Sequence, residues 1–292
     1  MRHINTFSMV AYDPEEQAWG VAVASKFLAV GSVVPWAQAG AGAIATQAYA
    51  KVSFGPDGLL MLASGVPAQE ILDRLLELDP GQAERQIGVV DVQGRAAAHT
   101  GVNCMDWAGH RIGVGFACQG NILAGPEVLD AMAETFMTAT GELSDRLFAA
   151  LRAADLAGGD RRGKQSAALY IANEDSGYGG DNDRYIDLRV DDDPEPVTKL
   201  GTLLTMHHLF FGEARPEDQL DISEDIAREL QTMMQATRHY SGEINGLWDD
   251  ATKAAFRALI GSENLEERWR YEQSPDHIDR VALEYLRSRF GR

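Results

Sequence analysis

Two hydroxyl side chains, Thr6 and Ser8, lie within Ile4–Tyr12, a run rich in β-forming residues. Alternation along a strand puts both on one face. Either could act as a nucleophile with a base in hydrogen-bond reach. Asp160-Arg161-Arg162-Gly163-Lys164 places three cations in one loop. Arg161, Arg162 and Lys164 could hold a substrate carboxylate, the arginines in bidentate fashion. Cys104, with His99 and His110 nearby, is an alternative nucleophile, although Asp106–His110 reads better as an ordered loop. Cys104 and Cys118 without patterned histidines supply too few ligands for zinc. Asp191-Asp192-Asp193 lacks the alternating spacing and distal glutamate of a calcium loop and reads as a solvated linker. No metal and no cofactor is expected.

The elements that must position these groups follow from periodicity. Ile4–Tyr12 and Trp19–Ser25, joined by the turn Asp13-Pro14-Glu15-Glu16, predict a hairpin. Gly31–Trp36 and Ala41–Ala48 predict two more strands, and small residues at Ala22, Ala24, Ala43 and Ala45 predict close packing against another layer. Gly55–Ser64 and Ala68–Leu78 carry apolar residues at helical spacing. A hairpin follows, Arg85–Val92 and Arg95–Thr100 about Gln93-Gly94, then a strand at Arg111–Gln119. Helices at Glu127–Met137 and Leu143–Leu156 precede strands at Ser166–Ala172 and Tyr185–Val190. Strand blocks alternating with helical pairs predict an α+β fold, packed sheets covered by helices. The hairpins are too short for parallel crossovers, and no glycine-rich dinucleotide fingerprint follows a strand.

Asp191–Pro196 predicts a boundary between domains at 1–196 and 197–292. Beyond it only helices are expected: Val197–Phe211, Ile222–Ala236, Asp250–Ile260 and Pro275–Phe290, the last capped by Ser274. A net charge of −18 over 292 residues repels phosphate backbones and anionic lipid, so neither nucleic acid nor membrane is an expected partner. No apolar stretch follows a basic start, and the expected location is the cytoplasm. A homo-oligomer is compatible with the sequence.

Several blocks resemble a bacterial family, the domain of unknown function numbered 1028. They include Asn5-Thr6-Phe7-Ser8-Met9-Val10-Ala11, Trp19–Phe27, Val33-Val34-Pro35-Trp36-Ala37, Ala45-Thr46-Gln47-Ala48 and Arg85–Asp91. Cys118–Gly125, Gly159–Leu169 and Asp187–Asp192 continue the likeness in order over roughly residues 4–200. The resemblance implies a four-layer αββα sandwich of the N-terminal-nucleophile hydrolase type. In such enzymes the first mature residue attacks an amide, and its own α-amine, titrating near ~8, serves as base. Thr6 would be that residue, with Ser8 beside it, after removal of Met1–Asn5. The lysine of proteasome-type relatives would fall near Ser32 or Val33, so Lys26 is the substitute. The amides of Thr46 and Gln47, with Asn121, are the candidate oxyanion donors, and the substrate a small amide or peptide.

The tail resembles a peptidoglycan-binding domain, a small helical bundle, on Tyr240–Asp249, Thr252, Phe256, Gly261-Ser262-Glu263-Asn264 and Glu266-Glu267-Arg268. Ile244 and Trp248 are expected in its core, and peptidoglycan fragments are an implied partner. The sequence therefore carries two expectations: an amide hydrolase acting through Thr6, or a non-catalytic scaffold whose tail binds glycan or protein.

Overall fold

The computed structural model describes residues 6–212, 216–269 and 271–291. Contacts divide the chain into Met1–Leu203 and Leu204–Arg292. The division falls inside helix α5 (Pro196–Phe211).

In the first unit, β1 (Thr6–Asp13) and β2 (Ala18–Ser25) form the expected hairpin, pairing Thr6 with Ser25 and Asp13 with Ala18. Both are almost wholly buried because each faces a layer on both sides. Outward from them lie β8 (Phe116–Gly120) and β7 (Gly109–Gly113) on one side, and β9 (Ser166–Asn173) and β10 (Arg184–Val190) on the other. The six-stranded order is β10-β9-β2-β1-β8-β7. A second sheet has the order β3-β4-β5-β6, from β3 (Pro35–Gln38), β4 (Gly42–Ala48), β5 (Arg85–Asp91) and β6 (Ala96–Thr100).

The two sheets meet over Val10, Val21, Val23, Ala43, Ala45, Val90, Ala117 and Ala168. Alanines at these positions let the backbones approach closely, as the small-residue pattern required. Helices α1 (Phe54–Ala63) and α2 (Ala68–Glu77) bury Phe54, Leu62, Ile71 and Leu72 against Ile44, Ile87 and Val89 of the smaller sheet. Helices α3 (Glu127–Thr138) and α4 (Leu143–Leu156) cover the larger one, α4 against β1 and β2 and α3 against β7 and β8. The unit is thus the four-layer αββα sandwich expected, and the fold class is α+β.

Three local expectations are corrected. Gly31–Trp36 is not a strand throughout: Val30–Ser32 forms a 3-10 turn, and β3 begins at Pro35. The Val30 carbonyl accepts the amides of Val33 and Val34, while the Ser166 hydroxyl accepts the Val30 amide. Arg111–Gln119 is not one strand but the hairpin β7–β8, because Gly115 (φ 78°) turns the chain. The tail is not purely helical, since β11 (Gln219–Asp221) pairs with β12 (His277–Asp279).

In the second unit that pairing delays the last helix. α8 (Arg280–Phe290) starts five residues beyond Pro275, capped by Asp279 rather than Ser274. The Asp279 carboxylate accepts the Val281 and Ala282 amides and also meets the Arg268 guanidinium at 3.3 Å. With α6 (Glu224–Ala236) and α7 (Asp250–Ser262), α8 encloses Leu230, Met234, Phe256, Leu259, Trp269 and Leu286. Trp248 packs edge-on against Phe256. Ile244, expected in this core, is 36% exposed. Its turn is held by polar contacts instead: buried Gln231 accepts the Gly246 amide at 2.9 Å and donates to the Leu247 carbonyl at 3.0 Å.

Close approach of β4 to β5 sets one sharp requirement. A Cβ on Gly42 would lie 2.3 Å from the Val90 carbonyl oxygen, a backbone atom that cannot swing aside. Gly42→Ala should lower stability by about 1–3 kcal/mol, the usual penalty for overpacking, seen as an earlier midpoint in urea denaturation with an unchanged slope.

Candidate functional site

Thr6 and Ser8 share the face of β1 that looks toward the second sheet, and both are fully buried. Around them sits a set of side-chain amides, Gln47 on β4, Gln86 on β5, Gln119 on β8 and Asn121 just beyond it, none more than 1% exposed. The Ser8 hydroxyl donates to Gln47 Oε1 at 2.6 Å and accepts from Gln119 Nε2 at 2.6 Å. Gln47 Nε2 is shared among the Thr6 carbonyl (3.2 Å), Gln86 Oε1 (2.9 Å) and the Gln119 carbonyl (3.2 Å). Gln86 Nε2 reaches the Gly120 carbonyl at 2.7 Å and the Thr100 hydroxyl at 3.0 Å, and Asn121 Nδ2 donates to Gln86 Oε1 at 2.8 Å. Gly88 belongs to this set by what it lacks, since a Cβ there would stand 2.1 Å from Gln119 Oε1.

The network runs outward to His110, whose Nδ1 lies 2.9 Å from the Thr100 hydroxyl. Burial, reinforced by His99 and Arg111, holds the His110 pKa below the ordinary value. The neutral ring this favours lets Nδ1 accept the threonine proton.

At the start of β1 the polar set changes character. The Thr6 hydroxyl donates to the Ser25 hydroxyl at 3.2 Å, its one hydrogen-bond partner among the described residues. Ser25 in turn walls a cleft of about 70 Å³ with Phe7, Asp155, Asp160, Lys164 and Pro196. That space suits water molecules rather than an organic substrate. Asp160 organises its rim: its carboxylate accepts the Lys26 amide at 2.9 Å, the Arg162 amide at 3.0 Å and the Arg162 guanidinium at 2.7 Å. Lys164 Nζ bridges Asp155 and Glu195, both at 2.8 Å. Desolvation opposes its charge, but the two carboxylates outweigh it and raise the Lys164 pKa.

The candidates from sequence therefore separate. Thr6, Ser8, Gln47 and Asn121 are brought together, with Gln47 acting through its side chain. The Thr46 amide, a candidate oxyanion donor, is already given to the Val34 carbonyl at 3.2 Å, and its hydroxyl turns to the Lys51 carbonyl. Asn121 likewise gives its amide to the Thr6 carbonyl at 3.1 Å. Lys26 does not approach Thr6 as a partner, because its Nζ donates to the Lys164 carbonyl at 3.1 Å. Arg162 and Lys164 are engaged by carboxylates, and Arg161 is exposed. The cleavage after Asn5 concerns residues outside those described.

Neither histidine named for Cys104 is its partner among the described residues: its thiol donates to the Arg85 carbonyl, His99 faces the Gln82 carbonyl and His110 the Thr100 hydroxyl. Burial raises the Cys104 thiol to about 11 and that of Cys118 to about 12, so both stay protonated at neutral pH. No group of three or more His, Cys, Asp or Glu residues is placed to hold a metal ion among the described residues.

Sequence reasoning missed Gln86, Gln119, Ser25 and the anchoring role of Asp160. The signal was present as lone polar residues inside otherwise apolar strands, such as Gln119 in Phe116-Ala117-Cys118-Gln119-Gly120.

Two predictions follow from the network. Gln47→Leu should destabilise the protein by about 1–3 kcal/mol for each buried partner left unpaired, measured by chemical denaturation. The depressed His110 pKa means that between that value and ~6.5 the unfolded chain binds more protons than the folded one. Wild-type melting temperature should therefore fall as pH is lowered through this window, and His110→Asn should reduce the slope.

Residues 6–200 match the model of the family of unknown function DUF1028, and residues 210–286 match one described as "Putative peptidoglycan binding domain". A crystal structure of a DUF1028-family protein from Silicibacter pomeroyi is 33% identical, with a TM-score of 0.64, covering 70% of this chain and 86% of that one. No curated protein matches the chain. On the extent of these matches, this chain belongs to the DUF1028 family and carries a peptidoglycan-binding domain behind the family's αββα unit.

Proposed function

We propose that this chain is a binding protein whose helical unit takes peptidoglycan fragments and whose αββα unit serves as a rigid scaffold. The observation that carries the scaffold half is the condition of Thr6. Its side chain is 0% exposed and bonded to another neutral hydroxyl, with no base beside it among the described residues. Lys26, the cation expected to assist, gives its Nζ to the Lys164 carbonyl, while Arg162 and Lys164 are held by Asp155, Asp160 and Glu195. The binding half is supported by the peptidoglycan-binding model over 210–286. The cytoplasm is the proposed location, where the ligand is soluble wall fragments or precursors and the free cysteines, Cys104 and Cys118, stay reduced.

A second reading, an amide hydrolase using Thr6 as N-terminal nucleophile, is favoured by one observation. Thr6 lies on a central strand, and its hydroxyl partner Ser25 walls the cleft. This reading requires a free Thr6 amine and a small amide or peptide substrate.

Co-sedimentation of the full chain with purified insoluble peptidoglycan tests the first reading. Retention in the pellet, unchanged in Thr6→Ala, is the expected outcome, and a chain that stays in the supernatant removes it. Intact mass and N-terminal sequencing test the second. A chain beginning at Thr6, with amidase activity abolished in Thr6→Ala, would establish hydrolysis instead.

A further inference from the structure

The helical unit has a cleft of about 270 Å³, lined by Arg257, Ile260, Glu266, Trp269, Tyr271, Glu272 and Gln273. This lies near the lower end of small-molecule pockets, about 300–1,000 Å³. Its wall is aromatic: Trp269 and Tyr271 meet edge to face at 5.4 Å, and the Arg257 guanidinium sits 4.8 Å from the Tyr271 ring centroid. Its rim is polar. Arg257 and Glu272 are 63% and 79% exposed and stand 3.8 Å apart, too far for a hydrogen bond, so each keeps capacity for a ligand.

One donor among the lining residues is unexplained. Trp269 is only 4% exposed, and its indole N–H has no acceptor among the described residues. A buried tryptophan usually finds a partner for that group, and each exception in a native fold calls for a reason. The second tryptophan of this unit, Trp248, does find one, the Pro275 carbonyl at 2.8 Å.

We infer that this cleft is a sugar site, in which an N-acetylhexosamine ring of a peptidoglycan fragment packs on the Trp269–Tyr271 wall. The acetamido carbonyl accepts the indole N–H of Trp269. The inference rests on the peptidoglycan-binding reading of this unit and deepens it. Three features select this ligand. The carbon-bound hydrogens of a sugar ring suit an aromatic face, and its hydroxyls suit the rim of Arg257, Glu272 and Gln273. The acetamido group supplies a neutral acceptor for a donor that has none. Two carboxylates, Glu266 and Glu272, against one guanidinium disfavour a ligand recognised through its own negative charge.

Calorimetric titration of the full chain with triacetylchitotriose and with cellotriose tests this. The two neutral trisaccharides differ in having an acetamido group or a hydroxyl at C2. Triacetylchitotriose should bind about 2–13-fold more tightly, the value of one hydrogen bond of about 0.5–1.5 kcal/mol. Trp269→Phe, which keeps a ring and removes the N–H, should erase that preference, and Tyr271→Ala should weaken both sugars. Equal binding of the two sugars by the wild type overturns the site without any variant having to fold. A preference that survives Trp269→Phe overturns it as well. Retention on insoluble peptidoglycan with no binding of triacetylchitotriose rejects this cleft while leaving the broader function intact. Failure to bind either material rejects both.

Discussion

The sandwich depends on the desolvation of a few amides. Gln47, Gln86, Gln119 and Asn121 lie where two apolar sheet faces press together, and an amide buried there without partners would oppose folding by several kcal/mol. Each is therefore tied to atoms of other strands: Gln47 spans from β4 to β1 and β8, and Gln86 from β5 to β8 and β6. Sliding one sheet over the other would break these bonds together. The apolar surface between the sheets, mostly valine and alanine, supplies driving force without direction. The amides supply register. The positions of Thr6, Ser8 and the Gly88 gap follow from that register.

The same physics describes the surroundings of Thr6. A hydroxyl becomes a nucleophile when a neighbour takes its proton, and among the described residues the hydrogen-bond partner of the Thr6 hydroxyl is another neutral hydroxyl, that of Ser25. Of the charged residues that the sequence placed nearby, Arg162 is held by Asp160 and Lys164 by Asp155 and Glu195. The Asp160 carboxylate binds two backbone amides and a guanidinium, fixing the loop after α4 against the end of β2. Such a cluster is a structural clamp, strong because its acid is almost wholly buried while its cations remain partly hydrated.

The helical unit solves a different problem, that of a small core. Trp248, Phe256, Trp269 and Tyr271 meet edge to face, so a few large rings bury much area in little chain. Asp279 closes the unit by capping α8 while bonded to Arg268, two functions that a serine five residues earlier could not combine. Among the described residues of this unit, the Trp269 indole N–H is left without an acceptor.

Most elements of the sandwich were legible in the sequence because their periodicity is local. The β-forming run Ile4–Tyr12 and the helical spacing of Leu143–Leu156 are both signals carried by neighbouring residues. The Asp160 loop and the family blocks were legible as well, as unusual residue types in fixed order. The exceptions share a cause. Val30–Ser32 became a turn because Ser166, more than a hundred residues away, takes the Val30 amide. α8 was shortened because His277–Asp279 pairs with Gln219–Asp221. The site followed the same rule: a glutamine in a strand gives no local sign of which carbonyl it will find. Sequence alone determined the layers, the family and the identity of the polar residues. Tertiary structure decided which of them are spent on one another, because a hydrogen bond between sheets depends on partners that only folding brings together.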